Sequence, residues 1–195
     1  MSAGVVACGA LAGHVSDIAD RRGLDIEVIA INPLLHNTPK NIPQEVERSV
    51  AELKLQHEIV VVAYADCGTY GALDKVCEQA GVQRLTGSHC YDVFATEKRM
   101  SQEFEREPGT YVLTDFLVRT FKTSVVEQLG LDRYPDLRDD YFHAYRRVVW
   151  LTQERTDELD QMAQEAAAIM QLPLEILPVG DVHLEEQLLT LLGEA

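Results

Sequence analysis

The stretch "EIVVVAYADCGTYGALDKVCEQAGVQRLTG", residues 58–87, decides the fold. Residues 58–64 form a short apolar run, the pattern of a strand buried on both faces. The period then changes. Leu73, Val76, Cys77 and Ala80 fall at i, i+3, i+4 and i+7, one apolar face of a helix over 70–80. Gly81 stops that helix, and 82–87 return to strand. Strand, helix, strand in succession implies a parallel pair joined by a right-handed crossover.

The same alternation extends to both ends of the chain. Strands are expected at 4–8, 26–31, 58–64, 82–87, 110–114, 146–151 and 174–179. Helices are expected near 11–22, 43–56, 70–80, 91–107, 116–129, 154–170 and 184–192. Segment 130–145, rich in charges and aromatics, reads as a loop with a short helix across the end of the sheet. There is no repeat at a solenoid period and no Gly/Ser/Pro linker. The expectation is α/β: a single open, mainly parallel Rossmann-like sheet with helices on both faces, in one domain spanning 1–195.

Composition agrees with a globular chain. Of 195 residues, 46% are hydrophobic, enough for a sizeable core. Acids outnumber bases 32 to 17, a formal charge of -15 that repels phosphate backbones and argues against nucleic-acid binding. A modest basic patch, the pair Arg146-Arg147, either meets an anion or pairs with surface acids. No apolar run is long enough to span a bilayer. "VVAC", residues 5–8, has no basic region before it, so no signal sequence is expected and a cytoplasmic location follows. The four cysteines, 8, 67, 77 and 90, are then expected as reduced thiols.

Ligands of open parallel sheets bind beyond the carboxyl ends of the strands. The first strand ends at Cys8-Gly9, and the second runs into "NPLLHN" with His36. The third runs into "ADCGTYG" with Asp66 and Cys67, and the fourth into "GSHCYD" with His89 and Cys90. The fifth ends in Thr114 and Asp115, which cap the next helix. Glycine directly after Cys8 and after Cys67 allows a sharp strand-to-helix turn, with the sulfur near a helix N-terminus that stabilises thiolate.

Three readings of this cluster are open. Thiolates and imidazoles from separate loops suit Zn²⁺ or an iron centre, although no CxxC or HxxxH spacing is present. Alternatively Cys67 is a nucleophile with His89 as its base and Asp115 as orienter. Or the cluster is a metal-free structural feature, its cysteines filling the core and Ser88 or His89 capping a helix. Cys77 lies on the apolar helical face and reads as core, and Cys90, next to His89, is expected to point elsewhere. Tyr64, Tyr70, Tyr91, Tyr111 and Phe94 either wall a pocket or are ordinary core and rim aromatics. The glycines at 9 and 13 lack GxGxxG spacing, and no Walker A sequence is present.

The set "ACGAL", "LLHNTP", "YADCGTYGAL", "GSHCYDVFA", "EPGTYVLTDFL" and "LGLDRYPDLRDDYFHAYRRVVWLTQ" resembles the bacterial and archaeal family known as domain of unknown function sixteen-thirty-eight. The resemblance spans nearly the whole chain. Its pattern implies Cys8, His36, Cys67 and His89 as the site. Many members carry His-Asp-Cys where this chain has His89-Cys90-Tyr91, which leaves His89 in the pattern and Cys90 outside it. The resemblance also implies a link to corrinoid-dependent methyltransferases and so to one-carbon or methylamine metabolism.

The expected function is therefore a transition-metal-binding protein, either a metalloenzyme or an accessory protein. Cys8, Cys67 and His89 would be ligands and His36 a fourth ligand or a group behind one. Asp66 or Asp115 would orient a ligand or move a proton. Zinc is the first expectation, since mixed Cys/His sets suit it, and iron or an iron–sulfur cluster the second. The expected partner is a small-molecule substrate or a protein of a corrinoid methyltransferase system, with no nucleic acid and no membrane.

Overall fold

The computed structural model describes residues 2–194. They group into two compact units. One holds the chain up to Val93 and again from Asp181, and the other holds Phe94–Gly180.

The first unit runs β1 (Ala3–Cys8), α1 (Ala12–Arg22), β2 (Ile26–Ile31), two 3-10 turns (Pro33–Asn37 and Pro39–Asn41), α2 (Ile42–Leu53), β3 (Ile59–Ala63), α3 (Ala72–Ala80) and β4 (Gln83–Arg84). The division between the units falls inside the next helix, α4 (Cys90–Ala95). The strands are parallel in the order β2-β1-β3-β4. All six residues of β1 are buried, as expected for a strand covered on both faces. From β1 the chain moves outward to β2, then crosses back to build β3 and β4 on the other side. With right-handed crossovers this reversal puts α1 on one face and the packed pair α2 and α3 on the other. It also makes the gap between β1 and β3 the topological switch point.

The second unit runs α5 (Glu97–Arg106), β5 (Thr110–Thr114), α6 (Asp115–Phe121) with a π turn at Lys122–Val126, α7 (Leu137–Phe142), β6 (Arg147–Thr152), α8 (Asp157–Met170) and β7 (Leu174–Pro178). Its parallel strands lie in sequential order, β5-β6-β7, with no reversal. Leu113, Phe121, Val148, Trp150, Leu159 and Met170 centre its core. Arg147 is buried, donates to Thr110 (2.9 Å) and bridges Glu103 (2.9 Å) and Glu175 (2.7 Å). Of the two outcomes weighed for the basic pair, Arg147 thus pairs with acids. The chain then returns to the first unit as α9 (Val182–Leu192), packed on α1 and β3.

The expected α/β class with parallel strands and flanking helices is the observed one, but the seven strands lie in two sheets rather than a single continuous one. The break comes after β4. Its ladder with β3 is only two residues long, and β5 pairs with β6 in a separate sheet. The helix expected over 91–107 is likewise broken. Thr96 takes φ +70° and its hydroxyl accepts from the Arg99 N–H (3.3 Å), which caps α5 and ends α4. Among the described residues no helix is long and apolar enough to cross a membrane.

Candidate metal centre

The site forms at the switch point of the first unit. Cys8 is the last residue of β1, and Gly9 follows it into the loop. A Cβ on Gly9 would stand 2.6 Å from the Ile31 carbonyl oxygen and 2.7 Å from Pro33 Cδ. Close backbone approach is therefore what Gly9 provides, and its φ lies outside the left-handed region. It lets the end of β1 lie against the turn that carries His36.

Beyond β3 the backbone is strained. Cys67 and Tyr70 take φ of +48° and +52°, with Gly68 and Gly71 at +82° and +81°. A non-glycine residue in this region costs about 1–2 kcal/mol, so neighbouring bonds must hold it there. Asp66 does so. Its carboxylate accepts from the Thr69 hydroxyl (2.7 Å), the Tyr70 N–H (3.0 Å) and the Gly71 N–H (2.9 Å). Burial works against its charge, but these donors outweigh it and hold the carboxyl below its ordinary range. The N–H groups of Asp66 and Cys67 donate to the carbonyls of Gly87 (3.1 Å) and Ser88 (2.8 Å). The loop after β3 is thereby fastened to the loop after β4.

The side chains converge between these loops. Cys8 Sγ lies 4.0 Å from His36 Nε2. His36 Nδ1 donates to the Pro33 carbonyl (2.7 Å), so Nε2 carries the free lone pair. Burial lowers the His36 pKa and outweighs the Pro33 hydrogen bond, which raises it, so the neutral ring is favoured. It stacks on Tyr64, centroids 5.7 Å apart and planes at 17°. Tyr64 is fully buried, and among the described residues its hydroxyl makes no well-formed hydrogen bond; it faces the Cys8 sulfur. Its electrostatic neighbours are Cys8, Cys67 and Cys90.

The three sulfurs face hydrogen-bond donors: Cys8 the N–H groups of Ala10 and Leu11 and the Tyr64 hydroxyl, Cys67 the N–H of Cys90, and Cys90 its own N–H and that of Tyr91. Burial nevertheless dominates and pushes all three thiols up, Cys90 to about 12. As they stand they are protonated at neutral pH.

Cys8, His36 and Cys67 are therefore brought together as the strand ends implied. His89 stays at the rim, exposed, with its ring 4.7 Å from that of Tyr91. Cys90 is the correction. It was expected to point elsewhere, yet it neighbours Cys8 and Cys67. The cause is local. Asp92 Oδ2 accepts from the N–H groups of Ser88 and His89 (3.0 Å each), which closes the turn and makes Cys90 the first residue of α4. An acid three residues beyond His89 was the signal that could have found it.

Asp115 lies in the second unit. Its carboxylate accepts from Trp150 Nε1 (2.8 Å), the Gln153 N–H (3.1 Å) and the Glu154 N–H (2.8 Å). Cys77 is buried on α3, as its helical face implied. A hollow of about 660 Å³ in the second unit, among Val126, Leu131, Asp136, Arg138, Asp139 and Ile169, is lined by no Cys or His.

Among the described residues no three His, Cys, Asp or Glu side chains already stand in metal-holding geometry. The donor chemistry nevertheless fits a thiophilic metal. Sulfur and nitrogen ligands of one tetrahedral zinc, at about 2.3 and 2.0 Å from it, stand roughly 3.5 Å apart. The Cys8–His36 separation of 4.0 Å is within a side-chain adjustment of that. The tethered Nδ1 of His36 and the N–H groups facing each sulfur are the outer supports such ligands use.

A family model described as "Protein of unknown function (DUF1638)" matches residues 30–188, more than half of the chain. No curated protein and no solved structure matches.

Proposed function

The chain belongs to the DUF1638 family, and we propose that it binds one transition-metal ion through the thiolates of Cys8, Cys67 and Cys90 and the Nε2 of His36. One observation carries this reading: the ends of separate strands deliver three thiols and a neutral, pre-oriented imidazole around a single buried hydroxyl. His89, exposed beside Tyr91, is left outside this ligand set. Asp66 holds the Cys67 loop, and its carboxylate is already committed to three donors. Zinc suits three thiolates with one imidazole, and iron is the other candidate for a thiolate-rich set. The nucleophile reading is less well supported. A nucleophilic cysteine needs a lowered pKa, and burial pushes Cys67 the other way.

Anaerobic purification, elemental analysis and an absorption spectrum test the proposal. About one metal ion per chain is expected. Cys67→Ser and Cys90→Ser should lose it, and Cys77→Ser should keep it. A colourless metal-loaded protein indicates zinc and a visible chromophore indicates iron. Metal well below stoichiometry under every loading condition would sink the reading.

A further inference from the structure

The Tyr64 hydroxyl is fully buried and makes no well-formed hydrogen bond among the described residues. The acceptor it faces is the Cys8 sulfur. A hydroxyl left so is destabilising, and native structures rarely keep one without a use. While Cys8 is a neutral thiol, position 64 gains little from the oxygen that phenylalanine would lack, because burial and the stack on His36 come from the ring. What surrounds the oxygen is sulfur: Cys8 first, then Cys67 and Cys90. A neutral thiol is a weak acceptor, whereas a metal-bound thiolate is a strong one.

We infer that the Tyr64 hydroxyl is a hydrogen-bond donor to the metal-bound sulfur of Cys8, a positioning residue that binds no metal itself. The inference rests on the metal-binding reading above. Three thiolates on a divalent ion leave one net negative charge in a buried place. The N–H groups of Ala10, Leu11, Cys90 and Tyr91 supply part of the compensation. Tyr64 is the side-chain donor that completes it on Cys8, and only when the metal is present does its hydroxyl gain a strong acceptor.

The consequence is a reversal of sign that no purely structural tyrosine would show. Tyr64→Phe keeps the ring and removes the orphan oxygen. The metal-free variant should melt at or above the wild-type temperature. Its metal-loaded form should be weaker, with affinity reduced about tenfold or more, the size expected for a hydrogen bond to a charged group.

Cobalt(II) is the probe. The wild-type chain and Tyr64→Phe are titrated anaerobically and followed by the thiolate-to-cobalt charge-transfer band, with melting curves of both metal-free proteins alongside. The expected result is a lower Co(II) affinity and a band moved to longer wavelength in the variant, because a thiolate without its donor gives up charge more easily. Equal affinity and an unmoved band would overturn the inference while leaving the metal reading intact. A metal-free variant clearly less stable than wild type, with the band unmoved, would assign the hydroxyl a structural role instead. A wild-type chain that takes up no Co(II) would overturn the metal reading itself, and this inference with it.

Discussion

Gly9 shows how much a single residue carries. It sits between Cys8 and the turn that holds His36, and a methyl group there would press on the Ile31 carbonyl oxygen and Pro33. Neither neighbour is a flexible side-chain end that can swing away. Gly9→Ala should therefore cost about 2 kcal/mol or more, read by urea unfolding, and should weaken metal uptake by moving His36 away from Cys8. A loss below about 0.5 kcal/mol would show that the loop yields freely. The sequence placed a glycine next to a cysteine at a strand end, and that much was legible. Of the two things glycine permits there, a positive φ and a close backbone approach, the structure uses the second, because the backbone of β2 passes within contact distance. Cys90 makes the same point. Adjacency to His89 suggested opposed side chains, but a turn closed by Asp92 makes Cys90 the first residue of α4 and leaves His89 exposed at the rim.

At the scale of elements, the ends of strands divide the work between the two units. In the first they hold reactive groups. In the second they hold each other, since Asp115 after β5 clasps Trp150 of β6 and the backbone beyond it. Asp115→Ala would leave three donors unpaired, with the indole N–H buried. It should cost about 3–5 kcal/mol by chemical denaturation, with metal uptake by the folded protein unchanged. Loss of uptake without loss of stability would return Asp115 to a functional role. Strand positions were the most legible level, because an apolar run bounded by Gly or Asp is a local signal. Two of them, 26–31 and 110–114, agree to the residue. The length of β4 was not legible. Whether "VQRLTG" pairs along six residues or two depends on what lies beside it, and after Arg84 the chain instead fastens the Cys67 loop.

For the whole molecule, the buried thiols set the response to pH. Burial raises the pKa of Cys8, Cys67, Cys90 and Cys77. A thiol raised by folding keeps its proton while the unfolded chain sheds its own. Its stabilisation is full below the unfolded value of about 8.5 and is lost as pH rises beyond it. The melting temperature of chelator-treated protein should fall steadily between about pH 8 and pH 10. Metal-loaded protein should resist that fall, since its thiolates are already deprotonated, and apparent affinity should rise with pH as fewer protons need displacing. Identical pH profiles with and without metal would contradict thiolate ligation. The sequence by itself determined the α/β class, the approximate strands and helices, and which residue types sit at which strand ends. These are encoded in periods of two and 3.6 residues and in turn chemistry, all local in the chain. Only the tertiary structure decided that there are two sheets, that the order β2-β1-β3-β4 reverses beside Cys8, and that Cys90 and Tyr64 join the site. Strand order and side-chain convergence come from contacts between residues far apart in sequence, and no local period records them.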